Sequence, residues 1–245
     1  MLFKKTSQFQ VPEGKEFDRA LAVGGGGGGC YGSNGGGGAG YVAASTIKVL
    51  PGSNYSVIVG EGGAGGIEKV HSGERGSASI FENLRGEGGF GGDGCSGGNG
   101  SSGGGGGNMK CSGGATADGG SVGWDGKTCS ANRYCLGGKG IGPSMYVGLL
   151  SMFKKFIVSA GDGGAYGYGV PSGEETAGGG GGGVLINGKG VNGTDADRKL
   201  GFGPGGKGGI GYGAGGGAGG LSIPYGTGYN KGGNGAPGVV YIEWD

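Results

Sequence analysis

Gly201-Phe202-Gly203-Pro204-Gly205-Gly206 has the G-x-G-x-x-G spacing that, between a strand and a helix, lets backbone amides cradle a pyrophosphate. The chain carries 80 Gly in 245 residues. Three fixed glycines therefore match about once in 27 placements, roughly nine times by accident here, and the spacing means nothing without a βαβ context. Gly126-Lys127-Thr128 ends as a P-loop ends, but the position that should open the loop is Ser121 rather than Gly. No phosphate site is expected from either motif.

His71 is the single histidine and lies in the polar stretch Glu68-Lys69-Val70-His71-Ser72, which reads as a solvated loop. Ser72 and Glu74 stand close to it in sequence, yet no context orients a nucleophile, a base and an acid into a triad. Asp93, Asp118, Asp125 and Asp162 are spread among glycines without the alternating spacing of a calcium loop. The five cysteines, Cys30, Cys95, Cys111, Cys129 and Cys135, are an odd number with no zinc-type spacing, and read as small buried or free thiols. Asn54, Asn99 and Asn192 open glycosylation sequons that matter only in a chain secreted by a eukaryote. The residues therefore support no catalytic assignment, no metal and no cofactor, and the chain is expected not to be an enzyme.

Composition points the same way. Hydrophobic residues make up 33% and charged residues 15% of the chain, so few side chains offset the entropy lost when so many glycines are ordered. Collagen needs Gly at every third position with abundant Pro, and the 7 Pro and unbroken Gly runs exclude it. Disorder is the alternative that composition alone leaves open, and the short apolar segments argue against it. The net charge of +1, with Lys and Arg scattered among acids, offers no basic face, so nucleic acid is not an expected partner. No stretch reaches the roughly 18 apolar residues that span a bilayer, so no membrane insertion is expected. The N-terminus turns polar too early for a signal peptide.

Six short segments rich in β-branched and aromatic residues, 16–23, 46–50, 55–59, 77–81, 184–187 and 239–244, are predicted strands. Leu50-Pro51-Gly52-Ser53 reads as a tight turn, with Pro fixing φ and Gly supplying a positive φ, so 46–59 is predicted to be a β-hairpin. Between the strands lie the glycine tracts 24–29, 35–38, 88–107, 178–183 and 203–220. Extended polyglycine can adopt the threefold left-handed helix of polyproline while every residue keeps its N–H. Rods of that kind would hydrogen-bond laterally and take the place of a hydrophobic core. The apolar segment 145–160 is expected to form a small cap or a contact surface.

The blocks Phe9-x-Val11-Pro12, Ala22-Val23-Gly24, Ile47-Lys48-Val49-Leu50-Pro51-Gly52, Tyr55-Ser56-Val57-Ile58-Val59-Gly60 and Pro237-Gly238-Val239-Val240-Tyr241-Ile242-Glu243-Trp244 occur in this order. In this the chain resembles the glycine-rich domain of bacteriophage tail-fibre and adhesin proteins. The resemblance implies an irregular, all-β-like fold: a bundle of polyglycine II helices capped by short β-strands, with little or no α-helix. It implies a single domain over 1–245, with capping strands in 1–60, rods and exposed loops in 61–238 and a terminal strand in 239–245.

It also implies a non-enzymatic adhesin or structural protein of the virion, a tail-fibre tip that binds a host cell-surface protein or glycan and packs with other fibre proteins or copies of itself. The alternative reading is an extracellular ligand-binding or self-assembling module of a eukaryotic cell surface. Rigid scaffolds carry function on their loops, and Tyr, Trp and Arg are frequent anchors of contacts. The expected receptor-binding residues are accordingly Trp124, Lys127, Arg133 and Tyr134 in one loop, Tyr166 and Tyr168 in a second, and Tyr225 and Tyr229 in a third. Tyr212 is expected to shield neighbouring backbone instead.

Overall fold

A computed structural model describes residues 1–32, 35–94, 96–101, 103–104, 152–153, 158–160, 179–186, 211–219 and 231–244. Among them there is no helix. Among the described residues ten strands run in chain order: β1 (Leu2–Phe3), β2 (Ser7–Gln10), β3 (Phe17–Val23), β4 (Val42–Lys48), β5 (Asn54–Ile58), β6 (Ser79–Phe81), β7 (Leu84–Gly86), β8 (Val158–Ala160), β9 (Val184–Ile186) and β10 (Val239–Glu243). All pairings are antiparallel. The first sheet has the order β1-β10-β3-β4, the second β2-β5-β6-β7, and β8 pairs with β9 alone.

Side chains alternate across a strand, and the first sheet uses both faces. Ala20 and Ala22 of β3 and Val240 and Ile242 of β10 face the second sheet, meeting Phe9, Val57 and Phe81 in one buried cluster. Leu21, Val23, Val239 and Tyr241 face the other way and are covered by Phe153 and Val184. Phe9 anchors the first cluster, with ring centroids of Phe3, Phe81 and Trp244 at 5.8, 6.0 and 5.9 Å. Phe153 meets Tyr241 edge-on at 5.9 Å, so this one residue of the apolar segment 145–160 covers the first sheet.

The predicted hairpin over 46–59 does not form. The turn is real: Gly52 has φ 69°, and the Ser53 N–H donates to the Leu50 carbonyl at 3.2 Å. It carries the chain from one sheet to the other, since β4 pairs with β3 whereas β5 pairs with β2 and β6. The reason lies in the turn's outer bonds. The Gly52 N–H donates to the Val11 carbonyl, and the Val11 N–H to the Ser53 carbonyl, which extends the β2–β5 register and steers β5 away from β4.

The glycine tracts follow a different rule. In 24–30, the N–H groups of Gly24, Gly27 and Cys30 donate to the carbonyls of Tyr41, Gly38 and Gly35; those of Gly25 and Gly28 donate to Ser77 and Glu74, and those of Gly26 and Gly29 to Ala236 and Gly233. Its carbonyls accept from three further tracts: Gly25 and Gly28 from Gly89 and Gly92, Gly26 and Gly29 from Gly63 and Gly66, Gly27 and Cys30 from Gly216 and Gly219. These bonds measure 2.8 to 3.0 Å. Partners change with a period of three, the repeat of an extended threefold helix, where a β-ladder would repeat every two. The tract 24–30 thus has six neighbours, three antiparallel that accept and three parallel that donate. Only glycine allows this approach: a Cβ on any of Gly24 to Gly29 would lie 2.0 or 2.1 Å from a neighbouring carbonyl oxygen.

Candidate functional site at the far pole of the rods

The tract 24–30 leaves the first sheet at Val23, so Cys30 and Tyr31 mark the pole opposite the sheets. Because neighbouring tracts alternate in direction, their turns gather there. The tract 61–66 ends in a two-residue turn, Glu68-Lys69, closed by Ile67 and Val70, which exchange backbone hydrogen bonds of 2.8 and 2.9 Å. The tract 87–92 ends in a second, closed by Asp93 and Ser96 at 3.1 and 3.0 Å, with Gly94 at φ 52° on its tip.

The two turns are tied together. Ser72 Oγ donates to Asp93 Oδ1 at 2.7 Å. The Tyr31 N–H donates to the His71 carbonyl at 2.8 Å, and the two rings lie 5.5 Å apart between centroids. Against this fixed frame Ile67 is 46% and Val70 58% exposed, on either side of the charged pair Glu68 and Lys69. Two uncovered aliphatic side chains, an aromatic pair and mixed charge make a surface suited to contact.

Cys30 lies just beneath. It is a free, buried thiol whose pKa is pushed up to about 11, first by burial and then by the Asp93 charge, with backbone amides of Gly73, Gly35 and Gly94 pulling the other way. Among the described residues no group of three metal-ligating side chains comes together.

At the opposite pole an open groove of ≈ 500 Å³ is lined by Lys15, Glu16, Arg19, Thr46, Glu243 and Trp244, with Gly14. Arg19 and Glu243 are register partners on β3 and β10, and Arg19 Nη2 donates to Glu243 Oε1 at 3.3 Å. Tyr241 Oη donates to the other oxygen, Oε2, at 3.1 Å. Burial and then this bond raise the phenol to about 12. The ion pair ties together the two central strands of the first sheet.

The eight receptor-binding residues expected from the sequence, Trp124, Lys127, Arg133, Tyr134, Tyr166, Tyr168, Tyr225 and Tyr229, all lie outside the described residues. So do Asp118, Asp125 and Asp162 and the cysteines other than Cys30. The segment holding Tyr225 and Tyr229 is flanked by Gly219 and Gly232, which bond to Cys30 and Gly66 at the far pole. His71 is exposed, as its polar surroundings suggest. Tyr212 packs on the cluster of Leu21 and Val23, with Lys4 Nζ 5.8 Å from its ring centroid, so it covers a sheet face. In the sequence 68–72 reads as a solvated loop, but nothing there assigns a contact role to it or to 93–96. Their signal is an interruption of glycine spacing: six residues without a glycine, 67–72, between two tracts in the first, and a lone Asp-Gly pair in the second.

Residues 3–245 match the pattern of the glycine-rich domain family. The chain belongs to that family. No curated protein matches it. In this glycine-rich domain the family pattern covers both the sheets at one pole and the tracts that run away from them.

Proposed function

We propose that this glycine-rich domain is a non-enzymatic attachment module, the tip of a virion fibre, which holds binding loops on a polyglycine II scaffold and presents them to a host cell-surface protein or glycan. The observation that carries this reading is the convergence of turns on one pole. The tips 67–70 and 93–96, the ring pair Tyr31–His71 and both flanks of the segment with Tyr225 and Tyr229 meet there, on tracts whose amides bond to one another. A scaffold fixed in this way leaves its loops free to differ without loss of the fold, which is what recognition of a variable surface requires.

The resemblance to tail-fibre adhesins supports the choice of a cell surface as partner, and the exposed Ile67 and Val70 supply apolar contact. The test is binding of fluorescently labelled protein to a panel of bacterial cells. Deletion of the loop with Trp124, Lys127, Arg133 and Tyr134, or Ile67→Ser with Val70→Ser, is expected to reduce saturable binding at least tenfold with the fold intact. Binding to no strain, or binding untouched by both changes, overturns the proposal.

A further inference from the structure

The outer tracts carry a regularity that neither the family nor the attachment reading explains. In 61–67 the exposed residues are Glu61, Ala64 and Ile67, three apart, and the glycines between them are buried or half-buried. The same step of three places Glu87, Phe90 and Asp93 outward on the next tract, and Ser96 and Asn99 on the one after. The tracts 24–30, 35–40 and 213–219, which show no exposed residue, are glycine throughout except for Cys30, Ala39, Ala214 and Ala218. Apart from these four small residues, side chains occur where a rod faces water, and glycine where it faces another rod.

The spacing inside the lattice shows what those outward side chains exclude. Two tracts approach so closely that a Cβ on the facing residue would stand about 2 Å from a carbonyl oxygen, as it would at Gly27 against Phe90 or at Gly28 against Ala64. A tract with a side chain at every third position cannot receive another on that side. A glycine-only tract can, and its backbone donors and acceptors would form an open edge like that of an unprotected β-sheet.

We infer that the rim of the rod lattice is a latent docking surface for a second copy of this chain, kept closed by the non-glycine residue at every third outward position. The occupant follows from the geometry: only a side-chain-free tract fits at lattice spacing, the chain's own tracts of that kind are buried inside its lattice, and a rim tract stripped of its side chains in one copy meets the same stripped tract of the next. The tract 231–237 repeats the step, with Lys231, Asn234 and Pro237 exposed.

The test opens one face. Glu87→Gly, Phe90→Gly and Asp93→Gly together make residues 86–94 an unbroken glycine run. The matched triple change to Ala removes the same charges and the same ring but leaves a Cβ at each position. Light scattering across a hundredfold range of concentration is expected to show the glycine variant at twice the parent's mass or more, and the alanine variant at the parent's mass. The inference is overturned if the glycine variant keeps the parent's mass, or if the alanine variant associates as readily. Should the first triple fail to fold by circular dichroism, Ser96→Gly with Asn99→Gly, against Ser96→Ala with Asn99→Ala, opens a different tract with the same two outcomes.

Discussion

Ser79 Oγ donates a 2.6 Å hydrogen bond to the carbonyl of Val23, joining the second sheet to the last residue of β3, where the central glycine tract begins. The same hydroxyl accepts the Gly60 N–H at 2.9 Å, and Ser79 is fully buried. One small side chain thus fixes both sheets and the start of two tracts. Ser79→Ala removes the partner of a buried N–H and of a buried carbonyl at once, and is expected to cost about 1 to 3 kcal/mol. Urea unfolding should show a lower midpoint with an unchanged slope; an unchanged midpoint would mean that the junction relaxes.

Glycines of the lattice are expected to be intolerant in a way that turn glycines are not. At Gly27 a Cβ would lie 2.0 Å from the Phe90 carbonyl oxygen, which itself accepts the Gly38 N–H. Neither tract can move without breaking its bonds to others, so Gly27→Ala should exceed the roughly 1 to 3 kcal/mol usual for overpacking. Gly14 has open space around it and only a φ of 74° to object, so Gly14→Ala should cost about 1 to 2 kcal/mol. Equal thermal shifts for the two would argue against a rigid lattice.

Tyr241 makes the fold sensitive to alkali. Its phenol is raised to about 12 by burial and by the bond to Glu243, against an ordinary value of about 10. The unfolded chain loses this proton first. Stability is therefore complete below about pH 10 and declines through about pH 12, by on the order of 2 kcal/mol. Tyr241→Phe should abolish that part of the decline, as measured by urea unfolding at pH 9 and pH 11.5.

Cys30 should be inert in the native protein. With its pKa near 11, on the order of one thiol in a thousand is ionised at pH 8, and the thiolate is the reactive form. Iodoacetamide at pH 8 is expected to leave Cys30 unmodified for hours and to label it fully in urea, as read by peptide mass spectrometry. Labelling of the native protein within minutes would show that this pole opens.

Much of the sheet framework is legible in the sequence. Segments such as Val239-Val240-Tyr241-Ile242 are apolar enough to announce a strand without help. The strand β4 begins at Val42, ahead of the predicted 46, because Ala43, Ala44 and Ser45 have weak strand preference and are held by pairing to Ala22, Leu21 and Ala20. The strands β1, β7 and β8 span two or three residues, too few for any periodicity to register. The error over 46–59 came from taking a turn's chemistry as evidence for what its flanks pair with. Partner choice was made by Val11, about forty residues upstream. The polarity of 68–72 announces a loop, but a two-residue turn between glycine tracts has no hydrophobic pattern to mark it as a contact surface. The step of three in Glu61, Ala64 and Ile67 is legible in the sequence, but it is too short to stand out from the surrounding glycine runs.

The interior of this lattice is peptide where most proteins have hydrocarbon, and that alters how the fold responds to temperature. Exposing apolar surface raises the heat capacity of unfolding, and exposing polar surface lowers it. A chain whose centre is amide should unfold with less than the roughly 12 to 15 cal/mol/K per residue of ordinary domains. Its stability curve should be broad and shallow, so that calorimetry finds nearly the same folding free energy in the cold as in a warm medium.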